Sequence, residues 1–172
     1  SVSRGLGDVY KRQILESVTG GETRGRYSII GMEPDLIWKC EGDKSFINSG
    51  NNEFTHVEGN PLSIFRNLLK RSSIKLPEDL PQASAGLFGY FGYDMVRHVE
   101  ELPNVNPDKI GLPDAMFIRP SIIAVLDGVK GEVILVSPVF YNQETSSNQA
   151  FKKAQNKIED AIFKLKKQVL SL

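Results

Sequence analysis

Glu16, Ser17 and Arg26 are the residues of this sequence whose types and spacing best suit binding of a small charged molecule. Residues 14–18 are mostly apolar, Gly20 and Gly21 mark a turn, and residues 26–30 make a second strand-like run. Glycine supplies the positive φ that a tight turn requires, so the two runs read as a hairpin. Glu16 and Ser17 then stand at the end of one strand, and Arg26 begins its partner. A carboxylate, a hydroxyl and a guanidinium brought together complement a zwitterion. The glutamate takes an ammonium, while the serine and the arginine fork take a carboxylate. The same spacing fits a plain cross-strand Glu16–Arg26 pair worth about 0.2–1 kcal/mol, and spacing alone favours that plainer reading.

The other chemically able residues point elsewhere. His56 and His98 are far apart and lack metal-ligand spacing, so both read as ordinary surface or helix residues. Ser17 has no Gly-x-Ser-x-Gly context, and a serine nucleophile would still need a placed histidine. Cys40 falls in an apparent strand beside Trp38, which suits a buried, inert thiol. Gly86, Gly89 and Gly92 form neither a dinucleotide fingerprint nor a phosphate loop. They read as a strand whose glycines admit a neighbouring layer, with Leu87, Phe88, Tyr90, Phe91 and Tyr93 filling the core.

The elements that must position these residues follow from periodicity and punctuation. After the hairpin, residues 32–35 with Pro34 are expected to break the chain. Residues 36–40, 44–48 and 53–57 read as strands separated by polar, glycine-containing turns. Asn60 caps a helix with Pro61 at its first position and Leu62, Phe65, Leu68 and Leu69 on one face. Residues 72–84 are a connector. Asp94 is expected to cap a short helix carrying Met95, Val99 and Leu102, before an irregular loop over 103–113. Residues 115–118, 121–126 and 132–136 read as three more strands, the last two joined through 127–131. A final helix from about Ser147 carries Phe151, Ala154, Ile158, Ile162, Leu165 and Val169 at helical spacing. Many strands without strand–helix alternation predict an α+β fold.

Composition bounds the function. The chain has 172 residues, 40% hydrophobic and 24% charged, which suits a globular domain. Its 21 basic and 21 acidic residues leave no basic excess to displace counterions, so a nucleic-acid partner is not expected. The apolar runs fall far short of the roughly 20 residues that span a bilayer, so no membrane association is expected and the chain reads as cytoplasmic. A single cysteine excludes an internal disulfide framework. Residues 1–13 have neither the apolar core of a signal peptide nor a transit-peptide pattern. They resemble the translation of a sequencing-library adapter and are expected to be unstructured, with residues 14–172 forming the domain.

Three motifs in order carry a family resemblance. Ile14-Leu15-Glu16-Ser17 precedes Gly25-Arg26-Tyr27-Ser28-Ile29-Ile30-Gly31 and Pro34. The run from Gly86 through Gly92-Tyr93-Asp94-Met95-Val96-Arg97 is followed by Glu101-Leu102-Pro103, and Leu112-Pro113-Asp114-Ala115 comes later. Together these resemble the N-terminal region of anthranilate synthase component I, with aminodeoxychorismate synthase component I as the close alternative. A stand-alone amino-acid-binding regulatory module is a further reading. The resemblance implies orthogonally packed antiparallel β-sheets with flanking helices, the N-terminal part of an α/β/β/α sandwich. It implies an enzyme making anthranilate from chorismate with Mg2+ and with ammonia from a glutamine amidotransferase subunit. Chorismate and metal would be bound by a C-terminal chorismate-binding domain, so no catalytic or metal residue is expected here. The region would instead contribute Leu15, Glu16, Ser17 and Arg26 to a feedback site for L-tryptophan.

Overall fold

The computed structural model describes residues 12–15, 26–50, 53–103, 108–140 and 145–169, the backbone alone for 12–15 and 167–169. The strands are β1 (Arg12–Leu15), β2 (Tyr27–Glu41), β3 (Lys44–Asn48), β4 (Thr55–Val57), β5 (Phe88–Phe91), β6 (Ala115–Asp127) and β7 (Glu132–Val136). The helices are α1 (Pro61–Arg71) and α2 (Ser147–Val169), with short 3-10 turns at Gln82–Ser84 and Tyr93–His98. Strand order is β4-β3-β2-β6-β5, with β1 also pairing β2 and β7 also pairing β6. The pairs β1–β2, β2–β3, β3–β4, β5–β6 and β6–β7 are antiparallel. Antiparallel strands with separate helices give the expected α+β class.

Two expected breaks are absent. Pro34 was expected to end a strand, yet β2 runs through it for 15 residues. The gap expected between 118 and 121 is likewise closed, because β6 runs through Arg119 and the fully buried Pro120 for 13 residues. Proline removes one ladder donor but leaves the extended chain possible where side chains take up the freed groups. Glu33, just before Pro34, sits at φ 49, the left-handed region, and its carbonyl accepts the Ser121 hydroxyl at 2.6 Å. Lys157 of α2 donates in turn to the Ser121 oxygen. β1 also begins earlier than expected: Arg12 lies opposite Met32 and Gln13 opposite Gly31. Main-chain pairing is indifferent to side-chain type, so these two residues extend the ladder.

The chain gathers into two compact units. One comprises Ser1–Pro34, Ile74–Gly86 and Pro120–Leu172; the other comprises Asp35–Ser73 and Leu87–Arg119. The core of the second is aromatic. Trp38, fully buried, has its ring centroid 4.9 Å from Phe65 and 6.3 Å from Phe117, while Phe65 and Phe117 lie 4.5 Å apart. The indole N–H donates to Ser45 Oγ at 3.3 Å, so the polar end of the ring is satisfied. α1 supplies Phe65 and Leu68 to this core and is capped as expected, Asn60 Oδ1 accepting from the Ser63 amide at 3.1 Å.

The glycine run works differently from expectation. Gly89 admits the next strand rather than another layer: a Cβ there would sit 1.9 Å from the Met116 carbonyl oxygen of β6. Gly92 donates its amide to the Asp114 carbonyl at 2.7 Å. Asp94 does not cap an α-helix. It lies in the first turn of the 3-10 segment and pairs with Arg97 at 2.7 Å, and Arg97 Nη1 also donates to the carbonyls of Leu102 and Pro103. The Gly-Tyr-Asp-Met-Val-Arg motif is thus a brace for the segment that follows it.

In the first unit, Ile122, Ile123, Ala124 and Val125 of β6 are buried. α2 begins with a reciprocal capping box, Ser146 and Gln149 each accepting from the other's amide. Its expected apolar face is largely open: Phe151 is 67% and Leu165 48% exposed.

Replacing Gly89 by alanine forces backbone apart at a β-ladder. The expected cost is about 1–3 kcal/mol or more, read as a lowered midpoint in thermal denaturation followed by circular dichroism. An unchanged midpoint would remove close approach as the reason for this glycine.

Candidate functional site

Leu15 lies in β1 opposite Ile29 of β2, so the expected hairpin pairing is present. Glu16 and Ser17 fall outside the described residues. Arg26 immediately precedes β2, and its guanidinium is committed to Asp127 at the end of β6. Nε donates to Oδ1 at 2.9 Å and to Oδ2 at 3.1 Å, and Nη2 donates to Oδ2 at 2.6 Å. The Asp127 side chain is 2% exposed and that of Arg26 28%. The guanidinium carbon also lies 5.0 Å from the Tyr27 ring centroid, a cation–π contact.

The turn between β6 and β7 completes this cluster. Asp127 Oδ1 accepts the amides of Val129 at 3.0 Å and Lys130 at 3.2 Å. The Gly128 amide donates to the Arg26 carbonyl, and the Gly131 amide to the Asp127 carbonyl, both at 2.8 Å. The Arg26 hydrogen bond is the main reason the Asp127 carboxyl is held down to about 2; the two turn amides and the Arg26 charge add to it, against the opposing effect of burial. Sequence reading offered Glu16 or a ligand carboxylate as the partner of Arg26 and missed Asp127, which lies 101 residues away. An aspartate followed by glycine in a hairpin turn does signal a carboxylate that accepts its own turn amides. Its cross-sheet partner becomes visible only with the strand order.

Cys40 forms a second cluster. Its buried Sγ donates to the Gly42 carbonyl at 3.2 Å and lies 3.7 Å from His98 Nε2. His98 Nδ1 in turn is 3.9 Å from Asp43. The order cysteine–histidine–aspartate has the outline of a thiol nucleophile, but the thiol is pushed up to about 11, first by burial and then by Asp114, Asp43 and Glu41. A thiolate is the reactive species. This cysteine is therefore the inert group expected. His98 ends the 3-10 segment Tyr93–His98, a helical residue as expected, with its side chain only 8% exposed. His56 is the surface residue expected, 42% exposed and 3.6 Å from Glu58.

A third paired group, Arg119 with Asp35, is bidentate at 2.7 and 3.1 Å, and Arg119 Nη1 donates to Ser72 Oγ at 3.4 Å. Beside α2, Ser137, Val139, Phe151, Ala154 and Ile158 contribute to the lining of an apolar cavity of about 320 Å³. Among the described residues, no three His, Cys, Asp or Glu side chains are grouped to hold a metal ion. Among them too, no helix is long and apolar enough to cross a membrane.

No protein-family model matches the chain. Curated relatives do. Anthranilate synthase component 1 of Cereibacter sphaeroides is 53% identical over 153 residues, 87% of this chain and 31% of the relative. The protein of the same name from Acetivibrio thermocellus is 40% identical over 130 residues, 75% of this chain and 26% of the relative. The crystal structure of anthranilate synthase component I from Streptococcus pneumoniae TIGR4 superposes with a TM-score of 0.63 at 24% identity, over 86% of this chain and 31% of that one. The chain thus spans about a third of the length of these proteins, and the superposition supports the fold.

Two outcomes follow from the titrations. Asp127 has a lower pKa folded than unfolded, so it stabilises the fold fully above 3.8, and that stabilisation is lost as the pH falls toward about 2. Thermal midpoints measured across this window should drop more for the parent than for Asp127→Asn; parallel curves would exclude the pair as the cause. Cys40 should react with a thiol reagent at neutral pH far more slowly in the folded chain than in denaturant, and equal rates would contradict its burial.

Proposed function

We propose, on the premise that the chain is a segment of an anthranilate synthase component 1, that it belongs to the large subunit of that enzyme and bears part of its L-tryptophan feedback site. The observation that carries this reading is the 53% identity over 153 residues. Relatives at 53%, 40% and 34% identity bear the anthranilate synthase name, which favours this product over aminodeoxychorismate. The complete protein would act in the cytoplasm as a lyase, converting chorismate to anthranilate with ammonia from a glutamine amidotransferase subunit. By resemblance, chorismate and Mg2+ belong to a C-terminal chorismate-binding domain, and this segment alone is inactive.

Feedback needs differential affinity: tryptophan must bind one arrangement of the complete enzyme better than another. Glu16 would take the ammonium of the effector, with Ser17 and Arg26 at its carboxylate and Leu15 on the apolar side. In the complete enzyme, Glu16→Ala or Ser17→Ala is expected to raise the tryptophan inhibition constant about tenfold or more, the loss of one charge-assisted hydrogen bond. Inhibition constants equal to the parent's would reject the assignment. Calorimetry of this chain with tryptophan is expected to show no binding, since the pocket would be shared with the rest of the enzyme. Tight binding would instead favour a stand-alone regulatory module.

A further inference from the structure

We infer that the open apolar stripe of α2 is a docking seam for an acid-flanked helix supplied by the rest of the same polypeptide. The inference rests on the reading of the chain as a segment of the large subunit and is independent of the feedback assignment. Phe151, Ile158, Ile162 and Leu165 recur at helical spacing along one side of α2. Phe151, Ile162 and Leu165 are exposed, and Ile158 is half-buried. From Phe151 to Leu165 the stripe runs about 21 Å at about 1.5 Å per residue, or about four turns. A neighbouring side of the helix is the one turned inward: Ala150, Ala154 and Ala161 are half-buried there, and Lys157 donates to Ser121 Oγ. The stripe is thus additional to the side by which α2 is held. The apolar cavity of about 320 Å³, whose lining includes Val139, Phe151, Ala154 and Ile158, opens along it. Such a hole receives a side chain from a facing helix.

Charge and tethering identify the occupant. Lys152 and Lys166 border the stripe, and neither has an ion-pair partner among the described residues. Glu159, between them, accepts the Gln155 side-chain amide at 3.0 Å. α2 carries six lysines against Glu159 and Asp160, in a chain whose acidic and basic residues balance overall. A complementary helix therefore places Asp or Glu opposite these lysines. Four turns of open seam bury too little to hold a free partner or a second copy against the entropy of association. A tethered helix needs less, because a short linker sets an effective concentration in the millimolar range. α2 is the last element of the described chain, and the stretch matched to the Cereibacter sphaeroides relative is 31% of that protein. On the segment reading, the polypeptide that leaves α2 starts beside the stripe, and consecutive elements usually pack as neighbours.

The test is thiol labelling of the complete enzyme carrying Phe151→Cys, Leu165→Cys or Phe163→Cys, read by mass spectrometry of the α2 peptide. Phe163 is exposed on another side of the helix. The first two are expected to label at least about a hundredfold more slowly native than denatured, at every enzyme concentration, and Phe163→Cys within about fivefold of its denatured rate. Charge is read separately. Lys166→Glu should lower the thermal midpoint of the complete enzyme by about 2–4 °C, and Lys153→Glu, off the stripe, by less than about 1 °C. Free labelling at Phe151 and Leu165, or protection shared equally by Phe163, overturns the inference. So do equal midpoints for the two lysine variants. Protection that grows with enzyme concentration assigns the stripe to a second copy and overturns it too. If the complete polypeptide makes anthranilate while the stripe labels freely, the inference fails and the enzyme reading stands. If the stripe is protected and no anthranilate forms, the docking stands and the enzyme reading fails.

Discussion

Two prolines set inside strands are the constraint around which this structure is arranged. Neither Pro34 nor Pro120 has an N–H to give to a ladder, and each lies inside a long strand, β2 or β6. Side chains supply the missing hold. On the Pro34 side, the left-handed Glu33 turns its carbonyl to the Ser121 hydroxyl, which Lys157 of α2 also reaches. Next to both prolines, Asp35 and Arg119 form a bidentate pair, with Arg119 16% exposed. Strand continuity here is kept by polar side chains at the very positions where the backbone cannot keep it.

The Arg26–Asp127 cluster follows the same principle with a different result. One carboxylate gathers a guanidinium and two amides, so a turn, a strand end and the residue preceding β2 are held as a single object. The aromatic core around Trp38 contributes bulk and burial, whereas this cluster contributes direction. The two contributions are distinct, because apolar packing alone sets position poorly for a long, flexible arginine.

Local signals were legible and long-range pairings were not. Asn60, Pro61 and the spacing of Phe65 and Leu68 announced α1 correctly, because capping and amphipathicity act within a few residues. The hairpin, β3 and β7 were legible for the same reason. Pro34 and the Arg119-Pro120 pair misled, since their local meaning is a break and only the partners at Ser121 and Asp35 reverse it. Of the four residues assigned to the effector site, Leu15 and Arg26 fall among the described residues. The decisive neighbour of Arg26 was hidden by a separation of 101 residues. The contact of His98 with Cys40 was hidden for the same reason, since nothing in its surroundings in sequence announces a partner 58 positions earlier.

The vacancy at Gly89 also works as a key for alignment. β5 is a short strand at the end of the strand order, and its residues Phe88 and Tyr90 flank the glycine. Sliding β5 by one residue would bring an aromatic ring's Cβ against the Met116 carbonyl, where not even a methyl group fits. Short strands ordinarily slip, since few contacts separate one alignment from the next. Here a missing side chain does the discriminating, so the hydrogen atom of one glycine selects which of several mispairings the growing sheet rejects.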